Sequence, residues 1–110
     1  MKIDAEQVRG STVLRASGRL DGTTTGDFEK TVVDALVAAG QGRVVVDMKG
    51  VEYVSSAGLR SLLVVAKRAK AGGQPFSVAA LSPSVREIFE ISGFGSIIPT
   101  HARVEDALGA

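Results

Sequence analysis

Hydrophobic and polar positions along the chain follow the period of a strand in some segments and that of a helix in others. Residues 3–8 and 12–17 are short, partly alternating segments, which predicts an antiparallel hairpin with its turn at residues 9–11. Further on, Val44-Val45-Val46 is a continuous β-branched run that ends at Asp47. Such a run is typical of a central strand that helices cover on both faces.

The first predicted helix follows three threonines. Apolar residues recur at helical spacing at Phe28, Val32, Leu36 and Val37. Thr24 and Asp27 have the spacing of a capping box, which marks the beginning of this helix, and Gly40 and Gly42 end it.

A second helix is predicted to begin at Ser55-Ser56 and to stop at Gly72-Gly73, after a turn-like loop over residues 48–54. A third begins at Ser82-Pro83 and stops at Gly93. The remaining elements are two short strands and a terminal helix, which we expect at Phe76 to Ala80, at Ile97-Ile98 before Pro99, and from about Ala102 to Leu108.

The predicted element order is β-β-α-β-α-β-α-β-α. Because strands alternate with helices, the connections must be parallel crossovers, and the fold class is α/β with a mixed, mostly parallel sheet. No linker or internal repeat interrupts this order, so we expect residues 1–110 to form a single domain.

Composition and charge exclude several functions. The net charge is +1 and no basic stripe is present, which argues against nucleic acid as a partner. Cysteine is absent, so disulfides and thiolate metal sites are excluded. No apolar run approaches the ~20 residues that span a bilayer. We therefore expect a cytoplasmic protein with no membrane contact.

The carboxyl ends of parallel strands are the place where α/β sheets gather ligands and partners. This edge is expected to hold Asp47, the loop 48–54, the serine pair with Ala57-Gly58, and the Asp21-Gly22 turn. Serines in this position ordinarily cap the helix and do nothing else. The alternative is an exposed hydroxyl that another protein's active site can approach, and a phosphate there would meet the positive end of the helix dipole.

Other candidate sites are weaker. His101 is the only histidine, so a serine hydrolase would have to be built from Ser56 and His101. Metal ligation lacks cysteines and a second histidine, and no phosphate-binding glycine loop is present. We expect Asp47 to anchor its loop by hydrogen bonds, whereas Asp21 is as well suited to tying its turn as to acting beside the serine.

The segment from Val46 to Leu59, Val-Asp-Met-Lys-Gly-Val-Glu-Tyr-Val-Ser-Ser-Ala-Gly-Leu, resembles the signature of the STAS family. This domain is shared by bacterial anti-sigma-factor antagonists and the cytoplasmic tails of sulfate transporters. The family pattern runs from a buried strand ending in Asp, through a Gly-Val turn, to Asp-Ser-Ser-Gly-Leu at a helix start. Gly18-Arg19-Leu20-Asp21 also resembles the family's turn before its first helix.

In the antagonists, the resemblance implies a partner switch. The unmodified protein binds an anti-sigma factor that is also a serine kinase, phosphorylation by that kinase breaks the complex, and a metal-dependent serine phosphatase restores it. Alignment without a gap to Gly58-Leu59 assigns the phosphorylated serine to Ser56. Ser55 stands where the family usually has Asp, and Ala57 where it often has a second serine, so Ser55 remains an alternative acceptor.

The function expected from the sequence is thus that of a non-enzymatic, phosphorylation-controlled anti-sigma-factor antagonist with no cofactor. Its partner-binding residues would be Asp21, Ser55, Ser56, Gly58 and Leu59. The main alternative is a scaffold subunit of a membrane lipid or anion transport complex that is never phosphorylated. An enzyme acting through Ser56 and His101 is the remaining alternative.

Overall fold

A computed structural model describes residues 1–109 as a five-stranded sheet with helices packed on both faces. The strands lie in chain order, β1 antiparallel to β2 and every other neighbouring pair parallel. The elements are β1 Lys2–Val8, β2 Ser11–Leu20, α1 Thr25–Ala39, β3 Val44–Val54, α2 Ser56–Ala71, β4 Phe76–Ala79, α3 Pro83–Ser92, β5 Thr100–His101 and α4 Val104–Ala107. The predicted α/β class and element order are confirmed.

The predicted hairpin is formed by β1 and β2. Val8 pairs with Ser11, so only Arg9 and Gly10 lie in the turn. Their φ angles of 53° and 79° are both positive, as a two-residue turn that matches the strand twist requires.

The main core lies between the sheet and the helices α1, α2 and α3. The opposite face carries the short helix α4, which packs Ala107 against Val45 and Ala79. Val44, Val45 and Val46 alternate between these faces and all three are fully buried. The prediction of a central strand covered on both faces is therefore confirmed.

The predicted loop over residues 48–54 is wrong, because β3 continues to Val54. The strand stays paired with β2 across two register shifts, and these shifts make Met48, Val51 and Val54 buried at intervals of three residues instead of two. Gly50 lies at the first shift, where a Cβ atom would come within 2.8 Å of the Ser17 Cβ. The polar, glycine-containing stretch therefore marks an irregular strand and not a turn.

The last strand is also displaced from its predicted position. Residues Phe94–Ser96 form a 3₁₀ turn, and the Ile98 N–H donates to the Phe94 carbonyl at 2.8 Å, so Ile98 is buried as part of this turn. The strand β5 begins only at Thr100, after Pro99.

The helix stops at Gly40, Gly72 and Gly93 are confirmed, whereas the capping box is not. Thr24 is the N-cap residue of α1, but its side chain makes no capping bond. Its hydroxyl instead donates to the Arg19 carbonyl at 3.0 Å and accepts from the Asp21 N–H at 3.0 Å. Within residues 1–109, no helix is long and apolar enough to cross a membrane.

Candidate functional site

The start of α2 is attached to the end of β2. Val54 pairs with Leu20, and the next N–H, that of Ser55, donates to the Leu20 carbonyl at 2.9 Å. Since Asp21 follows Leu20 directly, the serine pair and the Asp21 turn lie side by side, as the sequence predicts.

The two serines have different roles in the helix start. Ser55 is the N-cap, with extended backbone angles, and its Oγ accepts from the Gly58 N–H at 3.1 Å. Ser56 is the first residue of α2 and is exposed, as is Ala57 after it. Ser55 therefore caps the helix, whereas Ser56 is exposed to solvent and does not supply the cap.

Gly58 is buried where α2 touches the sheet. A Cβ atom on this residue would lie 2.5 Å from the Leu20 carbonyl oxygen and 3.0 Å from side-chain atoms of Leu20 and Val54. Only glycine permits this approach, so Gly58 positions the helix start and does not itself present a side chain to a partner. Leu59 is half-buried against the core.

Asp21 ties its own turn. Its Oδ1 accepts from the Thr23 hydroxyl at 2.6 Å and from the Thr23 N–H at 2.9 Å. These two bonds hold the pKa of the Asp21 carboxyl below its ordinary value. The bond from the Thr23 hydroxyl has the largest effect, and the charge of Arg19 makes a smaller contribution. The carboxylate is thus ionised at neutral pH and is already engaged with its neighbours.

Arg19 and Tyr53 lie at the same edge but were not among the residues predicted from the sequence. They are cross-strand partners, and the Arg19 guanidinium lies 4.3 Å from the centre of the Tyr53 ring. The Tyr53 side chain is 40% exposed, so its ring is accessible at this edge. The sequence signal was the aromatic residue three positions before Ser56.

Asp47 does not lie with the serines, contrary to the sequence prediction. Because β3 continues for seven residues beyond it, Asp47 is in the middle of the strand and pairs with Arg15 at 2.9 Å. Its second oxygen accepts from the Lys49 N–H at 3.0 Å. The expected anchoring hydrogen bonds therefore exist, within a strand instead of a loop.

His101 lies far from Ser56. It pairs with Ala79, which pairs with Asp47, so His101 is two strands away from β3 and level with Asp47. The seven residues from Asp47 to Val54 alone correspond to roughly 20 Å at ~3.3 Å per residue. The hypothesis of a hydrolase dyad formed by Ser56 and His101 is therefore wrong.

No acidic residue occurs in α2, and its exposed positions include Arg60, Lys67, Arg68 and Lys70. Arg60 lies one turn after Ser56, at the spacing where helical side chains are neighbours. Within residues 1–109, no group of three or more His, Asp or Glu side chains is placed to hold a metal ion.

These features define a hydroxyl-bearing helix start at the carboxyl edge of a mixed sheet, and the family follows from comparison. The chain belongs to the STAS domain family, whose model matches residues 2–107. A relative is BtrV of Bordetella bronchiseptica, which is named as an anti-sigma factor antagonist. It is 36% identical over 110 residues, which cover 100% of this chain and 94% of BtrV.

Solved structures share this fold. The crystal structure of an anti-sigma factor antagonist from Mycobacterium paratuberculosis is 26% identical, with a TM-score of 0.85 over 98% of this chain and 91% of that one. The antagonist SpoIIAA in its unphosphorylated form shares the fold, with 22% identity and a TM-score of 0.77 over 97% of this chain and 93% of that one. SpoIIAA of Bacillus in its phosphorylated form has 20% identity and a TM-score of 0.71, with 98% and 97% covered.

The contact of Gly58 with Leu20 predicts that Gly58→Ala lowers the free energy of unfolding by about 1–3 kcal/mol, because the helix start or β2 must shift. Gly26→Ala is the matched control, since it lies near the start of α1 with no atom within 4 Å of the added Cβ. That change should raise stability by about 0.4–1 kcal/mol. Urea unfolding of both variants measures the difference, and equal effects would contradict the close approach.

The division between the two serines predicts different costs for removing each hydroxyl. Ser55→Ala should lower the free energy of unfolding by about 1 kcal/mol, because the Gly58 N–H loses its acceptor. Ser56→Ala should stay within about 0.5 kcal/mol of the unsubstituted protein, as exposed positions usually do. The same urea measurement decides this, and a larger loss for Ser56→Ala would show that Ser56 holds the helix start.

Proposed function

We propose that this chain is a partner-switch antagonist whose Ser56 accepts a phosphate. The unmodified chain binds an anti-sigma factor that is also a serine kinase, and phosphorylation releases it. The observation that carries this proposal is that Ser56 is exposed at the first position of α2 while Ser55 supplies the cap. Membership of the STAS family and a relative named as an antagonist support it.

The proposed contact surface is the edge formed by the Asp21 turn and the first turn of α2. Ser55, Ser56 and the exposed part of Leu59 would face the partner, while Gly58 sets the position of the backbone beneath them. Arg19 and Tyr53 extend this surface with an aromatic ring and a cation, residue types that are enriched at protein interfaces.

Phosphoryl transfer in this scheme uses the partner's chemistry. The Ser56 Oγ attacks the γ-phosphorus of ATP held by the kinase, the hydroxyl proton passes to a base of the kinase, and ADP leaves. A metal-dependent phosphatase restores the hydroxyl by hydrolysis: water attacks phosphorus, the bond from phosphorus to the Ser56 Oγ breaks, the Oγ takes up a proton, and inorganic phosphate leaves. This chain contributes the hydroxyl and a helix start that a kinase can approach, and we assign it no catalytic residue or cofactor.

The first prediction of this proposal is a single phosphate on Ser56 after incubation with the cognate kinase and ATP. Ser55→Ala should still be phosphorylated, whereas Ser56→Ala should not be, and should remain bound to the kinase in the presence of ATP. Peptide mass spectrometry and co-purification measure both. Phosphate on Ser55 would overturn the assignment, and no phosphate with a kinase of verified activity would favour the transport scaffold.

Phosphorylation is expected to act at the surface and not on the fold. A phosphoserine adds about −1.5 to −2 charge at pH 7. At the N-terminus of α2, the helix dipole favours an anion by roughly 0.3–1 kcal/mol. The complex, by contrast, would have to desolvate the phosphate against a surface shaped for a neutral hydroxyl, which costs several kcal/mol.

We therefore predict that the phosphorylated chain keeps its circular dichroism spectrum and melts within a few degrees of the unmodified chain. Its affinity for the anti-sigma factor should fall by about a hundredfold or more, the equivalent of ~2.7 kcal/mol. Thermal melting and calorimetric titration measure the two quantities. A large drop in melting temperature, or amide shifts far from Ser56, would show that the switch is conformational.

A further inference from the structure

A second candidate site lies at the opposite end of α2 from Ser56. It is an open groove of about 490 Å³ between the last turns of α2, the start of β4 and the segment before β5. Its wall includes Arg43, Lys70, Phe76, Ser77, Ile97 and His101. Since α2 has 16 residues, about 24 Å of helix separates this groove from the helix start.

The groove is open because the sheet edge is incomplete there. Only Val78 and Ala79 of β4 pair with β5, so Phe76 and Ser77 pair with β3 on one side and have no strand on the other. Pro99 precedes β5 and lacks the N–H that would extend the ladder towards them. The edge of β4 is therefore accessible over its first two residues.

The charges that line the groove are of one sign. Arg43 and Lys70 contribute two cations, and none of the described residues in its wall is acidic. Arg43 donates one N–H to the Ala107 carbonyl at 3.1 Å, which fixes its side chain and leaves further donors on the guanidinium. Lys70 takes part in none of the ion pairs found among residues 1–109.

Ser77 adds a polar group that the fold does not satisfy. The residue is only 4% exposed, and its Oγ has no hydrogen-bond partner within the described residues. A buried hydroxyl without a partner is unfavourable, and most such groups in proteins are hydrogen-bonded. Ser77 and Phe76 are adjacent in β4, so their side chains lie on opposite faces of the sheet, and the enclosed Ser77 hydroxyl is not a contact for a ligand in the groove.

The remaining wall is apolar, with Phe76 on the inside and the half-exposed side chain of Ile97 at the rim. The C-terminus of α2 opposes an anion, because its carbonyls carry about half a negative charge. Those of Arg68, Ala69 and Lys70, however, already accept N–H bonds from residues 72–74. Two full positive charges at the groove outweigh this partial charge.

We propose that this groove binds a small organic anion, with its phosphate or carboxylate group at Lys70 and His101 and its apolar body against Phe76 and Ile97. This site is separate from the partner-switch proposal and stands or falls without it.

The test is an amide-resolved NMR titration of the full chain with phenyl phosphate, beside inorganic phosphate and benzyl alcohol as probes of charge and apolar body alone. Phenyl phosphate should give saturable shifts at residues 73–77 and at His101, with little change at Ser56. It should bind at least fivefold more tightly than either control. Lys70→Gln and His101→Gln should each weaken its binding threefold or more, whereas Lys67→Gln, on the same helix but outside the groove, should not.

Several outcomes would overturn the proposal. The first is the absence of saturable shifts up to about 10 mM phenyl phosphate, which would mean a dissociation constant above ~10⁻² M. The others are equal affinity for inorganic phosphate and an equal loss of affinity in Lys67→Gln.

Discussion

The contact between the first turn of α2 and the Leu20 carbonyl is the constraint on which the candidate site depends. Leu20 ends β2, and its carbonyl oxygen accepts the Ser55 N–H while lying where a Cβ on Gly58 would be. The bond and the close approach reinforce each other, since each holds the backbone in the position that the other needs. As a result, the first turn of α2 is held against the end of β2, beside the Asp21 turn.

This constraint also explains why two adjacent serines are not equivalent. The Ser55 backbone is held in an extended conformation by its bond to β2, and an extended N-cap directs its side chain back to the third N–H of the helix. Ser56 has already entered the helix, so its hydroxyl is directed away from that N–H. A helix start moved one residue towards the C-terminus would make Ser56 the N-cap and leave Ser55 outside the helix, and Gly58 opposes such a shift.

The order of elements was predictable because it depends on local periodicity and on helix stops such as Gly40, Gly72 and Gly93. The length of β3 was not, because its second half is defined by pairing with β2 across two register shifts. The sequence shows only a polar segment around Gly50, which resembles a turn until the Ser17 backbone is placed against it. Likewise, Ile98 is apolar enough for a strand, but its bond to Phe94 places it in a 3₁₀ turn.

The candidate site was predictable to the extent that it lies within one continuous motif. The stretch around Ser55, Ser56 and Gly58 is local, so its position at a helix start follows from the sequence. Asp47 was placed there wrongly for the same reason that β3 was predicted too short. The contact between Arg19 and Tyr53 depends on a register that only the folded sheet defines.

The corrected position of Asp47 changes the electrostatic balance around Ser56. With Asp47 in the middle of β3 and paired with Arg15, the acids that remain in the neighbouring segments are Glu52, four residues before Ser56, and Asp21, whose carboxylate is held by Thr23. Arg60 lies one helical turn beyond Ser56, and α2 has no acidic side chain to oppose an added phosphate. A charge placed on Ser56 therefore meets a helix N-terminus and a cation, with Glu52 and the engaged Asp21 against it. Because the helix N-terminus and Arg60 favour that charge in the free chain, we expect the proposed loss of affinity on phosphorylation to arise in the complex, where the partner's surface replaces water at Ser56.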